Sequence, residues 1–140
     1  MGDYNVLMQF DIDAEPDTVR KALGTQEGIA SWWTTHTELD ADRLRVAFPD
    51  TPQPFEFDVR NGDGRLDWVT GAFPPWWEGT TIRWVVEPNP EKSGTRLHFA
   101  HRDYDPTNPV IPIVTPAWAQ IILRLKAYAE TGTPQPFFDF

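Results

Sequence analysis

Residues 115–132 read TPAWAQIILRLKAYAETG, the one long segment of the chain with helical periodicity. Trp118, Ile121, Ile122, Leu125, Tyr128 and Ala129 recur at steps of three and four and form one apolar stripe. Gln120, Arg124 and Lys126 lie off it. Thr115 is placed to cap the first free N–H groups, and Pro116 suits the first helical position. Gly132 offers the left-handed residue that ends such a helix, and Pro134 prevents its continuation. A helix with one apolar face needs a surface to lie on, and the preceding sequence reads as a sheet.

Working back towards the N-terminus, the pattern has period two. Leu97, Phe99 and His101 share one face; so do Thr80, Ile82, Trp84 and Val86. Leu66, Trp68, Thr70 and Ala72 form another such set, as do Phe55, Phe57 and Val59, and Leu44, Val46 and Phe48. Asn61-Gly62-Asp63-Gly64 is a hairpin turn, because Asn and Gly tolerate positive φ. Near the start, Val6, Met8, Phe10 and Ile12 make a half-buried strand, with Leu7 as an apolar exception on its outer face. Ala14–Asp17 opens a short helix with Val19, Ala22 and Leu23 inward; Gly24-Thr25 breaks it, and a second turn over 26–31 ends at Trp32-Trp33. The expected order is strand, two short helices, about six antiparallel strands and one long helix. That is an α+β architecture, a single domain over residues 1–140, with the helices on one face of a curved sheet. The apolar ending Pro136–Phe140 is expected to dock on the surface.

The bulk numbers exclude several function classes. With 21 acidic against 12 basic residues the net charge is −9, which argues against nucleic acid and anionic lipid surfaces. Zero cysteines remove disulfides and thiolate chemistry and fit a cytoplasmic setting. No secretory signal is visible, and no apolar run approaches membrane-spanning length, so membrane insertion is not expected. Seven Trp and nine Phe exceed what a minimal core needs and suit either a heavy core or an aromatic-lined cavity.

Catalytic and metal readings find little support. His98 and His101 are three apart on one strand and face opposite ways; His36 lies far off in sequence. Ser31 and Ser93 sit in no nucleophile turn, and no loop has the glycines and lysine of a phosphate cradle. Asp11/Asp13 and Asp103/Asp105 lack the Gly and Glu of a calcium loop and read as solvated strand ends. No catalytic residue, metal ligand or cofactor is therefore assigned. His101 has two readings: a hydrogen-bonding or proton-transferring group in a cavity, or a core histidine satisfied by a neighbouring hydroxyl or backbone group. The second is preferred, and Tyr104 is expected at the same end.

The helix pair ending in Trp32-Trp33, the run Trp77-Glu78-Gly79-Thr80, the strand Gly94–His101 and the ending Trp118–Gly132 occur together in this order. In that arrangement the chain resembles bacterial proteins similar to the C-terminal domain of the activator of heat-shock protein 90 ATPase. These belong to the START-like (SRPBCC) superfamily, with lipid-transfer domains, birch-pollen-allergen-like proteins and polyketide cyclases. The resemblance covers nearly the whole chain. It implies a helix-grip fold, in which a curved antiparallel sheet wraps the C-terminal helix around an apolar cavity. It carries no shared catalytic set. The 140 residues leave no room for the additional N-terminal domain of the eukaryotic co-chaperone.

The expected function is non-enzymatic binding of a small hydrophobic or amphipathic ligand, lipid-like or aromatic. The cavity lining expected is Trp68, Trp84 and Trp118 with Phe48, Phe57 and Phe99. Trp33, His101, Ile122 and Leu125 complete it. Of the adjacent pairs Trp32-Trp33 and Trp76-Trp77, one member each is expected to point outward, and the Pro74–Trp77 loop to rim the cavity mouth. The alternatives are a polyketide cyclase/dehydratase-like enzyme, with His101 moving protons, or a chaperone-related interaction module using the exposed Trp pairs. A homodimer or a chaperone contact would then be the macromolecular partner.

Overall fold

A computed structural model describes residues 4–140. The chain runs β1 (Tyr4–Ile12), α1 (Pro16–Gly24), α2 (Gln26–Trp32), β2 (Thr37–Asp40), β3 (Arg43–Val46), β4 (Phe55–Gly62) and β5 (Arg65–Thr70). A 3₁₀ turn at Pro75–Trp77 precedes β6 (Thr81–Pro88), β7 (Thr95–Tyr104) and α3 (Ile111–Thr131). The strands form one curved antiparallel sheet of seven, ordered β1-β7-β6-β5-β4-β3-β2. This is the helix-grip α+β architecture expected from the sequence.

Strand register explains why the period-two sets share a face. Val6 lies opposite His101, His101 opposite Ile82, Ile82 opposite Trp68 and Trp68 opposite Val59. The neighbouring row runs Met8, Phe99, Trp84, Leu66. Each row is a line of cross-strand neighbours pointing to one side of the pleat. The opposite face carries ion pairs in register: Arg83 grips Asp67 with two hydrogen bonds of 2.8 and 3.1 Å, and Arg96 grips Asp11 at 3.0 Å. Leu7 stands out on that face at 70% exposure.

Trp118, Ile121, Ile122, Leu125 and Ala129 of α3 are buried, as their spacing requires. Gly132 adopts φ +76° and its N–H closes the helix on the Tyr128 carbonyl at 2.7 Å. The start differs from expectation. Thr115 is not the cap: α3 begins a turn earlier at Ile111, and the Thr115 hydroxyl donates to the Ile111 carbonyl at 2.7 Å. Pro112 sits in the first turn, where an N–H needs no partner, and Pro116 removes one bond from the second turn without stopping the helix.

Three further expectations are corrected. Trp32 and Trp33 are both buried, because the end of α2 plunges between sheet and α3 and leaves neither side to solvent. Ala72 is exposed, since β5 ends at Thr70 and the chain bends away. Phe48 lies beyond β3, which stops at Val46. A short edge strand, Thr37–Asp40, was not singled out by sequence: four residues give too little alternation to read.

The final residues dock as expected. Gln135, Phe137 and Phe138 donate their N–H groups to the carbonyls of Ser31, Trp32 and Trp33 at 2.9, 3.1 and 2.8 Å. Arg124 of α3 lies 5.6 Å over the Phe137 ring.

Candidate functional site: an aromatic pocket at the start of the long helix

Beneath the middle of α3 the interior is filled by indoles. Trp33 stacks on Trp68 (5.9 Å, 6° between planes) and on Trp32 (6.0 Å, 7°). Trp84 meets Trp68 edge-on at 5.3 Å and Phe99 at 5.0 Å. Phe57, Trp68, Trp84, Phe99, Ile122 and Leu125 are all at most 2% exposed and belong to this packed layer.

An apolar opening lies at one end of this layer. A pocket of about 370 Å³ is walled by Trp33 at the end of α2, Phe48 and Thr51 of the loop after β3, and Phe55 of β4. The 3₁₀ turn contributes Trp76 and Trp77. The opening turns of α3 contribute Val114, Ala117, Trp118 and Ile121, with Val110 and Ile113 towards the mouth, and the docked tail adds Phe138. Three expected lining residues thus stand in its wall: Trp33, Phe48 and Trp118. Of the Trp76-Trp77 pair, Trp76 is exposed and Trp77 buried, and both border the pocket as a rim should.

The remaining wall residues were missed for a physical reason. Ile113, Val114 and Ala117 continue the helical spacing N-terminally, but Pro112 and Pro116 conceal it; Ile121 belongs to the apolar stripe but not to the expected lining. The contribution of Phe138 depends on where the tail docks, which no local pattern encodes. Thr51 is the one wall residue with a side-chain hydroxyl; the surrounding surface is aromatic and aliphatic.

His101 is fully buried behind this wall. Trp118 donates its indole N–H to Nδ1 at 3.1 Å, and an indole only donates, so Nδ1 is an acceptor. The ring proton therefore sits on Nε2 and is donated to Thr80 Oγ1 at 2.9 Å. The Thr80 hydroxyl donates in turn to the Trp77 carbonyl at 2.6 Å, which makes Thr70 Oγ1, 3.1 Å away, a donor to Thr80. The Tyr104 hydroxyl approaches Nδ1 at 3.2 Å. Burial pushes the His101 imidazole down to about 3 and lifts the Tyr104 phenol above its usual range. His101 is thus a buried imidazole with side-chain partners at both nitrogens, the surroundings that the second sequence reading expects. His98 instead points outward and meets Glu87 at 2.7 Å. Among the described residues no cluster of His, Asp and Glu is placed to hold a metal ion.

No family model matches this sequence, and no curated protein sequence matches it. Solved structures do. The Aha1 dimer from Colwellia psychrerythraea superposes with a TM-score of 0.78 at 24% identity, over 92% of this chain and 98% of that one. A Staphylococcus saprophyticus protein gives 0.73 at 16% identity, over 97% of this chain and 98% of the other. DynU16, from the dynemicin biosynthetic locus, gives 0.75 at 20% identity; 99% of this chain matches 51% of that protein. At these identities the likeness is one of fold: the chain shares the helix-grip architecture of these structures.

Proposed function

We propose that the protein binds a small apolar or amphipathic molecule, with a flat aromatic or lipid-like body, in the pocket between α3 and the Trp76-Trp77 turn. The observation that carries this reading is the wall itself: seven aromatic residues, Trp33, Phe48, Phe55, Trp76, Trp77, Trp118 and Phe138, around about 370 Å³ of open space. Pockets of that size with such walls suit ligands of drug-like dimensions. Affinity comes from apolar area withdrawn from water, about 25 cal/mol per Å² before ordering costs. Thr51 offers one polar contact for orientation.

The reading is of a binding protein rather than a cyclase or dehydratase, because the residue best suited to proton transfer, His101, is spent in the core. The interaction-module reading keeps one observation in its favour: Trp76 and Ile113, 43% and 71% exposed, stand together at the pocket mouth. A chaperone segment or a second copy of the chain would cover them, and the Aha1 structure named above is of a dimer. The setting proposed is cytoplasmic; no helix of the described residues is long and apolar enough to cross a membrane.

Thermal-shift screening against fatty acids, phospholipids and polycyclic aromatics tests the proposal, with mass spectrometry of whatever co-purifies with the protein. A ligand class that raises Tm in proportion to the logarithm of its concentration supports it. No shift from any class, with a co-purified species absent, counts against it. A pull-down with host chaperones that Trp76→Ala weakens would favour the interaction module.

A further inference from the structure

Residues 133–140 leave α3 at Gly132 and run along the end of α2 as a strap. The last carbonyls of a helix find no partner within it. Those of Ser31, Trp32 and Trp33 accept from the N–H groups of Gln135, Phe137 and Phe138, and Thr35 returns one N–H to the Phe138 carbonyl at 3.0 Å. Arg124 of α3 holds the other side: its Nη1 donates to the Gln135 and Pro136 carbonyls at 3.1 and 3.4 Å.

Little apolar burial backs these bonds. Pro136, Phe137 and Phe138 are half-buried, and the rest of the strap is exposed. A segment held mainly by main-chain hydrogen bonds at the surface opens locally at a fraction of the global unfolding free energy. When this one lifts, water replaces each N–H it withdraws, so no carbonyl of α2 is left buried without a partner.

Phe138 belongs both to the strap and to the wall of the aromatic pocket, where it meets Phe48 edge-on at 4.9 Å. Lifting the strap takes that side of the wall away. A ligand lying against Phe138 binds the closed form more tightly than the open one, and to the same extent it favours closure.

We propose that the strap is a detachable element latched by Arg124 and coupled to the pocket. It opens while the sheet and α3 stay folded, and an apolar ligand in the pocket holds it shut. The coupling rests on the ligand-binding reading above; the independent opening does not.

The test is native-state hydrogen exchange of the ¹⁵N-labelled full chain with and without N-phenyl-1-naphthylamine, whose binding is followed separately by its fluorescence. The amides of Thr35, Gln135, Phe137 and Phe138 should exchange through one common opening, about 100-fold or more faster than the amides of β6 and β7 and with little dependence on urea. Arg124→Ala should speed them about threefold or more. Probe at ten times its Kd should slow them about tenfold, the factor expected when the open form does not bind it. Strap amides that exchange only together with β6 and β7, that bound probe leaves unchanged, or that are unaltered in Arg124→Ala overturn the proposal. Fluorescence that shows no binding overturns the pocket reading and the coupling with it, and the rates without probe still decide whether the strap opens alone.

Discussion

The indole N–H of Trp118 ends 3.1 Å from Nδ1 of His101, so the long helix and the seventh strand are joined by a hydrogen bond that fixes the imidazole tautomer. That single contact ties the wall of the aromatic pocket to the buried polar chain behind it. The burial of the imidazole makes the protein sensitive to acid in a defined way.

His101 takes up a proton near its ordinary value of 6.5 when unfolded but only at about 3 when folded. Between those values the unfolded state binds more protons, so stability falls as pH falls. The contribution is intact above 6.5 and is lost progressively towards pH 3, at most about 1.4 kcal/mol per pH unit. Urea unfolding of the wild type and His101→Gln at pH 7.5 and 4.5 isolates it from the carboxylates. The wild type's advantage over the variant should shrink by about 2–3 kcal/mol at the lower pH. A constant difference would show that the imidazole titrates normally.

Thr80 and Thr70 differ in how much depends on them. Thr80→Val leaves the buried Nε2–H of His101 without an acceptor and should cost about 2–3 kcal/mol. Thr70→Val removes a donor whose only side-chain partner is Thr80 and strands nothing, so about 1 kcal/mol or less is expected. Equal losses in denaturant titration would contradict the donor order assigned to this chain.

Gly28 marks the closest approach of the short helices. A Cβ there would stand 2.6 Å from the Lys21 carbonyl oxygen and 2.8 Å from Ala22 Cα, both backbone. Gly28→Ala should therefore destabilise by about 3 kcal/mol, although alanine is the better helix former. Because α2 delivers Trp33 to the pocket wall, weaker ligand binding should accompany the loss. A gain in Tm would show that the two helices separate at little cost.

The fold was legible because burial on one face leaves a period in the sequence. Trp68, Trp84, Leu97 and Phe99 declared the inner face of the sheet, and Trp118 to Ala129 the helix upon it. The pocket was legible only in part. Trp33, Phe48 and Trp118 carry the same signal whether they fill space or border it, and what separates the cases is where neighbouring indoles stack. The slab of Trp32, Trp33 and Trp68 fills the centre, and the opening is displaced towards Trp76, Ala117 and Phe138. Those positions are set by a 3₁₀ turn, a proline-masked helical turn and a docked tail, none of which has a periodic signature.

The most direct measurement is the binding of N-phenyl-1-naphthylamine, a neutral aromatic probe whose fluorescence rises in apolar surroundings, to the wild type and to Ala117→Trp. Ala117 borders the pocket from the helix surface and is only half-buried, so an indole there occupies the opening rather than the core. Saturable binding of one probe per chain by the wild type, weakened about tenfold or more in the filled variant at unchanged Tm, is the predicted result. Absence of saturable binding, or equal binding by both proteins, would contradict the assignment of this pocket as the ligand site.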